Sequence, residues 1–195
     1  MRVLVACEYS GRVRDAFIAL GHDAISCDIL PTESSGPHYQ GDVRDILCDG
    51  WDLMIAHPPC TYLAVSGMHW TTRGLRDPKL TDDALDFVKI LLSADIPRIA
   101  LENPVSVISS RIRKPDQIIQ PWWFGDDASK KTCLWLKNLP PLTPTNKLHG
   151  DEKTRRANQT DSGQNKLAPS PDRWKERSRT YHGIAHAMAS QWGML

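Results

Sequence analysis

Residues 2–28, RVLVACEYSGRVRDAFIALGHDAISCD, decide the reading of the fold. Arg2 to Cys7 is a short, apolar, β-branched run of the kind a buried strand needs, and it stops at Glu8-Tyr9-Ser10-Gly11. Val13, Ala16, Phe17 and Leu20 then recur at three- and four-residue spacing, the stripe of an amphipathic helix. Ser10 is placed to cap that helix and Gly21 to close it. Ala24-Ile25-Ser26-Cys27 returns as a second strand ending at Asp28. Strand, crossover helix and strand at these lengths form a parallel βαβ unit.

The same alternation continues outward. Pro, Ser and Gly between Ile29 and Gln40 mark a loop, and Asp52 to Ala56 is a buried strand that Pro58-Pro59 must end. Thr81 opens an amphipathic helix carrying Ala84, Leu85, Val88, Leu91 and Leu92. Arg98 to Leu101 is another strand, leading into Glu102-Asn103-Pro104, and Lys131 to Leu136 is one more. His182 to Trp192 forms a last helix with Ile184, Ala185, Met188 and Ala189 on one face. The expectation is an α/β protein with a Rossmann-like open sheet and helices on both faces. At 195 residues the chain fits one domain. Residues 1–137 and 180–195 make its body, and the polar, Pro-containing stretch 138–179 reads as an insert.

Lys and Arg number 24 against 23 Asp and Glu, so no global basic field exists to attract nucleic acid. Positive charge is instead local. Residues 147–179 hold nine Lys/Arg and five acids, a net +4. The five cysteines are odd in number and include no CxxC pair, which argues against a disulfide framework or a paired-cysteine zinc site and points to a reducing cytoplasm. No apolar run approaches the ~20 residues of a membrane span, so no membrane partner is expected.

Ligands of open α/β sheets bind past the carboxyl ends of strands. The residues in those positions are Glu8, Tyr9, Ser10 and Gly11; Asp28 and Ile29; Asp42 and Val43; Pro58, Pro59, Cys60 and Thr61; and Glu102 and Asn103. The first loop lacks G-x-G-x-x-G, and no G-x-x-x-x-G-K-[ST] occurs, which disfavours dinucleotides and ATP. Ser10-Gly11 at a helix start would present free backbone N–H groups to a carboxylate; an ordinary capped helix fits the same residues. Asp28 can accept hydrogen bonds from ribose hydroxyls or simply solvate its turn.

Cys60 sits behind a rigid Pro-Pro turn at the mouth of this region, where a thiol with a nearby base or positive charge becomes a nucleophile. A lone cysteine is more often buried and inert, but Glu102 ends a neighbouring strand and can hydrogen-bond a ring nitrogen. His57 can serve as a base for Cys60 or cap its strand, and the second role is the commoner one. Zinc ligation by His57, Cys60 and His69 has unsuitable spacing, and no metal site is expected. Trp70, Arg73 and Arg76 after Cys60 form an exposed loop tip or a base- and phosphate-contacting loop.

Taken in order, Asp28, Asp42, Pro58-Pro59-Cys60-Thr61 and Glu102-Asn103-Pro104 resemble the cytosine-C5 DNA methyltransferases, and the likeness is greatest to compact phage and prophage forms. The resemblance covers most of the chain. It implies S-adenosyl-L-methionine as cofactor, with Glu8, Tyr9, Ser10 and Gly11 in place of the family's Phe-x-Gly-x-Gly loop. It also implies Asp28 and Ile29 at the ribose, Asp42 and Val43 at the adenine, and Pro58, Gly183, Ile184 and Ala185 closing the cofactor site. Cys60 and Glu102 are implied as nucleophile and N3-binding acid, with Pro59, Thr61 and Asn103 beside the base.

The family's Gln-x-Arg-x-Arg element is replaced by Lys130-Lys131-Thr132. Where relatives carry a large target-recognition domain, only residues 138–179 stand. Arg155, Arg156, Arg173, Lys175 and Arg177 are there expected near the backbone of single- or double-stranded DNA, with Trp174 for stacking or packing. Two other readings stay open. One is a catalytically idle binder of nucleic acid or protein, with a protein partner supplying targeting; the other is an enzyme acting on a free cytosine nucleotide.

Overall fold

The computed structural model describes residues 1–195. Its centre is a seven-stranded sheet of β1 (Arg2–Ala6), β2 (Asp23–Asp28), β3 (His38–Gln40), β4 (Leu53–Ala56), β5 (Arg98–Pro104), β6 (Gln117–Ile119) and β7 (Thr132–Lys137). The order is β3-β2-β1-β4-β5-β7-β6. β3, β2, β1, β4 and β5 run parallel, while β7 lies antiparallel between β5 and β6. The order reverses at β1, opening the crevice between β1 and β4 where doubly wound sheets take ligands.

The helices are α1 (Arg12–Ala19), α2 (Met68–Thr72), α3 (Lys79–Leu92), α4 (Ile108–Arg111), α5 (Arg173–Ser178) and α6 (His182–Trp192). Strand side chains alternate between faces, and each face has its own core. Val3, Val5, Leu53, Ile55, Ala100 and Leu134 meet Val13 and Phe17 of α1 and Ile184, Met188 and Trp192 of α6. Leu4, Ala6, Met54, Ile99, Leu101 and Trp135 meet Leu85, Val88 and Leu91 of α3 and Ile108 of α4. Helices on both faces explain why the strands read as continuous apolar runs. No helix is long and apolar enough to cross a membrane.

The expected strands and long helices form close to their expected limits. β3 is a three-residue edge strand inside a stretch read as loop, and β6, of the same length, lies in a stretch for which the sequence suggests no element; both are too short to show a period. The start of α1 departs from expectation. Gly11, at φ 74°, occupies the cap position, and Glu8 supplies the capping carboxylate. Glu8 Oε1 accepts from the Val13 N–H at 2.8 Å and Oε2 from the Arg14 N–H at 3.2 Å. Ser10 Oγ stands at a long 3.4 Å from the Arg12 nitrogen. A Cβ on Gly11 would lie 2.1 Å from Ser34 Oγ, so the residue must be glycine for space as well as for φ.

Candidate active site

The register sets out the site. Ala6 pairs with Cys27 on one side and Ala56 on the other, and Ala56 pairs with Leu101. The next residue on each strand is therefore Asp28, Cys7, His57 or Glu102, four side-by-side positions along the carboxyl edge of the sheet. Two hydrogen bonds tie the Pro-Pro-Cys turn to β5. Asn103 Nδ2 donates to the Pro58 carbonyl at 2.9 Å, and His57 Nδ1 lies 2.8 Å from Glu102 Oε2. His57 thus pairs with Glu102, not with Cys60 as its alternative reading had it. His69 Nδ1 faces the Ser66 carbonyl.

Glu102 is buried, which alone raises its titration, yet the Lys130 charge and the His57 hydrogen bond outweigh burial and hold the carboxyl below its ordinary range. It lines a narrow cleft with Lys130, Thr132, Thr180, Tyr181 and Ile184. Cys60 and Pro59 are exposed at the turn, while Pro58 is buried under it. Partial desolvation, then the Glu102 charge, raise the Cys60 thiol, against the opposing pull of Lys130 and Arg177. Thr61 is exposed, and its carbonyl accepts from Arg76 Nη1 at 2.9 Å. Arg76 also stacks on Tyr62, 4.9 Å from the ring centre, so it braces the loop after Cys60.

Asp28 Oδ1 accepts the Leu30 N–H at 2.9 Å, and burial raises its carboxyl against the opposing pull of the Leu30 and Ile29 N–H groups. Ile29 beside it is 75% exposed. Asp42 is less free than expected: Arg44 Nε lies 2.9 and 3.0 Å from its two oxygens, and the pairing lowers its titration. Val43 and Ala185 are core side chains, so a direct cofactor contact from them is limited to the backbone. Gly183 donates its N–H to Asp126 Oδ2 at 2.9 Å, and a Cβ there would lie 2.0 Å from the Phe124 carbonyl oxygen. Its glycine is explained by close packing of α6.

In the β1/β4 crevice Cys7, Glu8, Tyr9, Ser10 and His57 line a cavity of about 50 Å³. Its remaining wall is Ser178, Arg179 and Thr180, which belong to a strap that includes α5. Tyr9 Oη bonds Ser178 Oγ at 2.7 Å and the Lys175 carbonyl at 3.1 Å, and the Trp174 ring lies 6.0 Å from that of Tyr9. Arg12 donates to the Thr180 carbonyl at 2.9 Å and Arg179 pairs with Glu33 at 2.8 Å. The strap was invisible in the sequence because α5 has no apolar stripe; Trp174 next to a charge run is its one signal.

The basic residues divide. Arg156, expected at the DNA-facing surface, is buried instead, stacked 4.5 Å from the Trp122 ring centre and bonded to the His149 carbonyl. Arg155 pairs with Asp161 and Lys175 with Asp172. Arg173 is half-buried, its Nε without a partner. Arg177 and Lys131 are exposed and Lys130 half-buried, and none of the three joins an ion pair.

No protein-family model matches the chain, and no curated protein matches it. Among solved structures it is similar to the methyltransferase EhMeth of Entamoeba histolytica, at 16% identity and TM-score 0.50, over 76% of this chain and 57% of that one. A second likeness, at 12% identity and TM-score 0.45, is to a chain assigned as a DNA modification methyltransferase encoded within an Escherichia coli prophage; it covers 73% of this chain and 53% of that one. The chain thus spans a little over half the length of either. With the strand order above, the first likeness defines the class: this is a methyltransferase-type α/β fold.

Proposed function

We propose that the protein methylates cytosine at C5 in DNA, with Cys60 as nucleophile and Glu102 acting at N3. The observation that carries this reading is the pairing of the two loops: an exposed thiol on a turn hydrogen-bonded to the strand end that holds a buried, ionised glutamate. In this mechanism Cys60 Sγ adds to C6 and moves electron density toward N3, which is neutralised by a proton that Glu102 must first acquire and then hands over. Lys130 lowers the thiol's titration and so raises the thiolate fraction. C5 becomes nucleophilic, takes the methyl group, and gives up its proton to solvent as the Cys60–C6 bond breaks and the thiolate leaves.

S-adenosyl-L-methionine, when bound, supplies the electrophilic methyl group. The residues fit this cofactor in part. Asp28 ends β2 one position from Cys7 along the carboxyl edge of the sheet and suits a ribose hydroxyl. The α1 N-terminus does not suit the amino-acid carboxylate, because Glu8 already takes its Val13 and Arg14 N–H groups. The cavity of about 50 Å³ is also far below the roughly 300–1,000 Å³ of small-molecule sites. Cofactor entry therefore requires the strap 174–180 to move. In this reading residues 138–179 are the insert that faces DNA, through Arg177 together with Lys130 and Lys131.

The same closed cavity favours a second reading, a methyltransferase-fold binding module without catalysis. Purified protein incubated with S-adenosyl-L-methionine and cytosine-containing DNA, followed by nucleoside mass spectrometry, separates the two. 5-Methylcytosine is the expected product, and DNA that is bound but unmodified supports the module.

A further inference from the structure

Cys60 and Glu102 account for the proposed chemistry and leave His57 without a task. Its side chain is 10% exposed, its Nδ1 faces Glu102 Oε2 at 2.8 Å, and its Nε2 is buried with no hydrogen-bond partner. A buried polar atom left unpaired costs about 1–3 kcal/mol and calls for an explanation. His57 also lines the β1/β4 cavity, whose volume of about 50 Å³ exceeds what one water molecule needs. The imidazole therefore stands between a cavity able to hold water and the carboxyl group assigned to cytosine N3. The groups facing it are Glu102 from β5, with Lys130 beyond, Cys7, Glu8 and Tyr9 from the loop after β1, and Arg179 from the strap.

From this juxtaposition, and resting on the cytosine reading above, we propose that His57 is a positioning residue that loads Glu102 with the proton it delivers to cytosine N3. Such loading is needed because Glu102 is held ionised by its surroundings. The imidazolium is charged through Nε2 from the cavity and gives its Nδ1 proton to Glu102 Oε2. The carboxyl group turns and passes that proton to N3 as the Sγ–C6 bond forms and the C5=C6 π-bond opens. Thiolate, imidazolium, carboxylate and neutral cytosine become a neutral N3-protonated adduct, a neutral imidazole and a carboxylate, so charge is conserved. On elimination the N3 proton returns by the same route.

The addition step can be followed without the cofactor, because a C5 made nucleophilic by addition at C6 exchanges its hydrogen with solvent. The probe is a cytosine-containing single-stranded oligonucleotide in D₂O, with deuterium at C5 read by mass spectrometry across a pD series. An imidazole ordinarily titrates below a thiol. A step needing imidazolium and thiolate together is therefore flat in pD between the two titrations, whereas one needing thiolate alone climbs toward tenfold per unit. The wild type is expected to be flat there. His57→Asn keeps an N–H donor near the Nδ1 position but cannot titrate; it is expected to exchange about 10²-fold more slowly at neutrality, at the lower end for a proton-transfer group. Its half-saturating oligonucleotide concentration stays unchanged and its rate climbs with pD. A His57→Asn rate and profile matching the wild type would overturn the proposal and leave His57 as a brace. Even if that variant fails to fold, a wild-type rate that climbs tenfold per pD unit overturns it. Wild-type protein that exchanges no cytosine overturns the cytosine reading, and the relay with it.

Discussion

At Glu102 burial and charge pull in opposite directions, and Lys130 and His57 together outweigh burial. The same ammonium acts on Cys60, lowering a thiol that burial and Glu102 raise. Removing it by Lys130→Met therefore raises both titrations. At Cys60 this means less thiolate at a given pH, so alkylation by iodoacetamide, followed by peptide mass spectrometry, is expected to be slower at pH 8 and to reach its plateau at higher pH. Exposed Cys48 serves as the internal reference; an unchanged Cys60 profile would remove Lys130 from the site. The places of Cys60 and Glu102 past strand ends were legible in the sequence, whereas Lys130 stood out only as part of the stretch replacing a family motif. Arg156 was not legible, since nothing in a basic run marks which guanidinium turns inward onto Trp122. Nor does sequence position reveal that Glu8 caps α1, a contact across several residues that leaves the neighbouring Ser10 the obvious candidate.

Among the elements, α1 and α6 pack on one face of the sheet, and each has one residue on which its start depends. Glu8→Ala removes the acceptor for two α1 N–H groups and is expected to lower unfolding free energy by about 1–2 kcal/mol, the upper range for a lost cap. Gly183→Ala sets a methyl group against the Phe124 carbonyl and is expected to cost about 1–3 kcal/mol as overpacking. Urea denaturation followed by tryptophan fluorescence reads both; wild-type midpoints would contradict these assignments. The strap is held by polar contacts and one aromatic pair. Trp174→Ala with Arg179→Ala should therefore loosen it and speed association of S-adenosyl-L-methionine in stopped-flow measurements, whereas an unchanged rate would mean that the strap does not gate the crevice. Strands buried on both faces and helices with clean stripes were readable from period alone. α5 and the short edge strands, whose placement depends on tertiary partners, were not.

For the whole molecule, the near-neutral total charge means that DNA binding has to rest on a few local cations. Ion pairing withdraws Arg155 and Lys175 from the set the sequence suggested, and burial withdraws Arg156 and, in part, Arg173, leaving Lys130 and Arg177, whose charges reach the Cys60 thiol, and the exposed Lys131. Three neutralised phosphates give log K against log salt a slope of about −2 on single strands and about −3 on duplex. Replacing all three cations with Gln should flatten it, and a wild-type slope near zero would take DNA out of the account. The α/β class and the βαβ start were present in the first 28 residues, whereas the insertion of β7 between β5 and β6 depends on long-range pairing that no local pattern encodes. The central claim, covalent addition of Cys60 to cytosine, is tested most directly by DNA containing 5-fluorocytosine, incubated with the protein and S-adenosyl-L-methionine and run on a denaturing gel. Fluorine cannot leave C5 as a proton does, so the account predicts a denaturant-resistant protein–DNA adduct in the wild type and none in Cys60→Ser. An adduct that survives in Cys60→Ser, or its absence from the wild type, would contradict it.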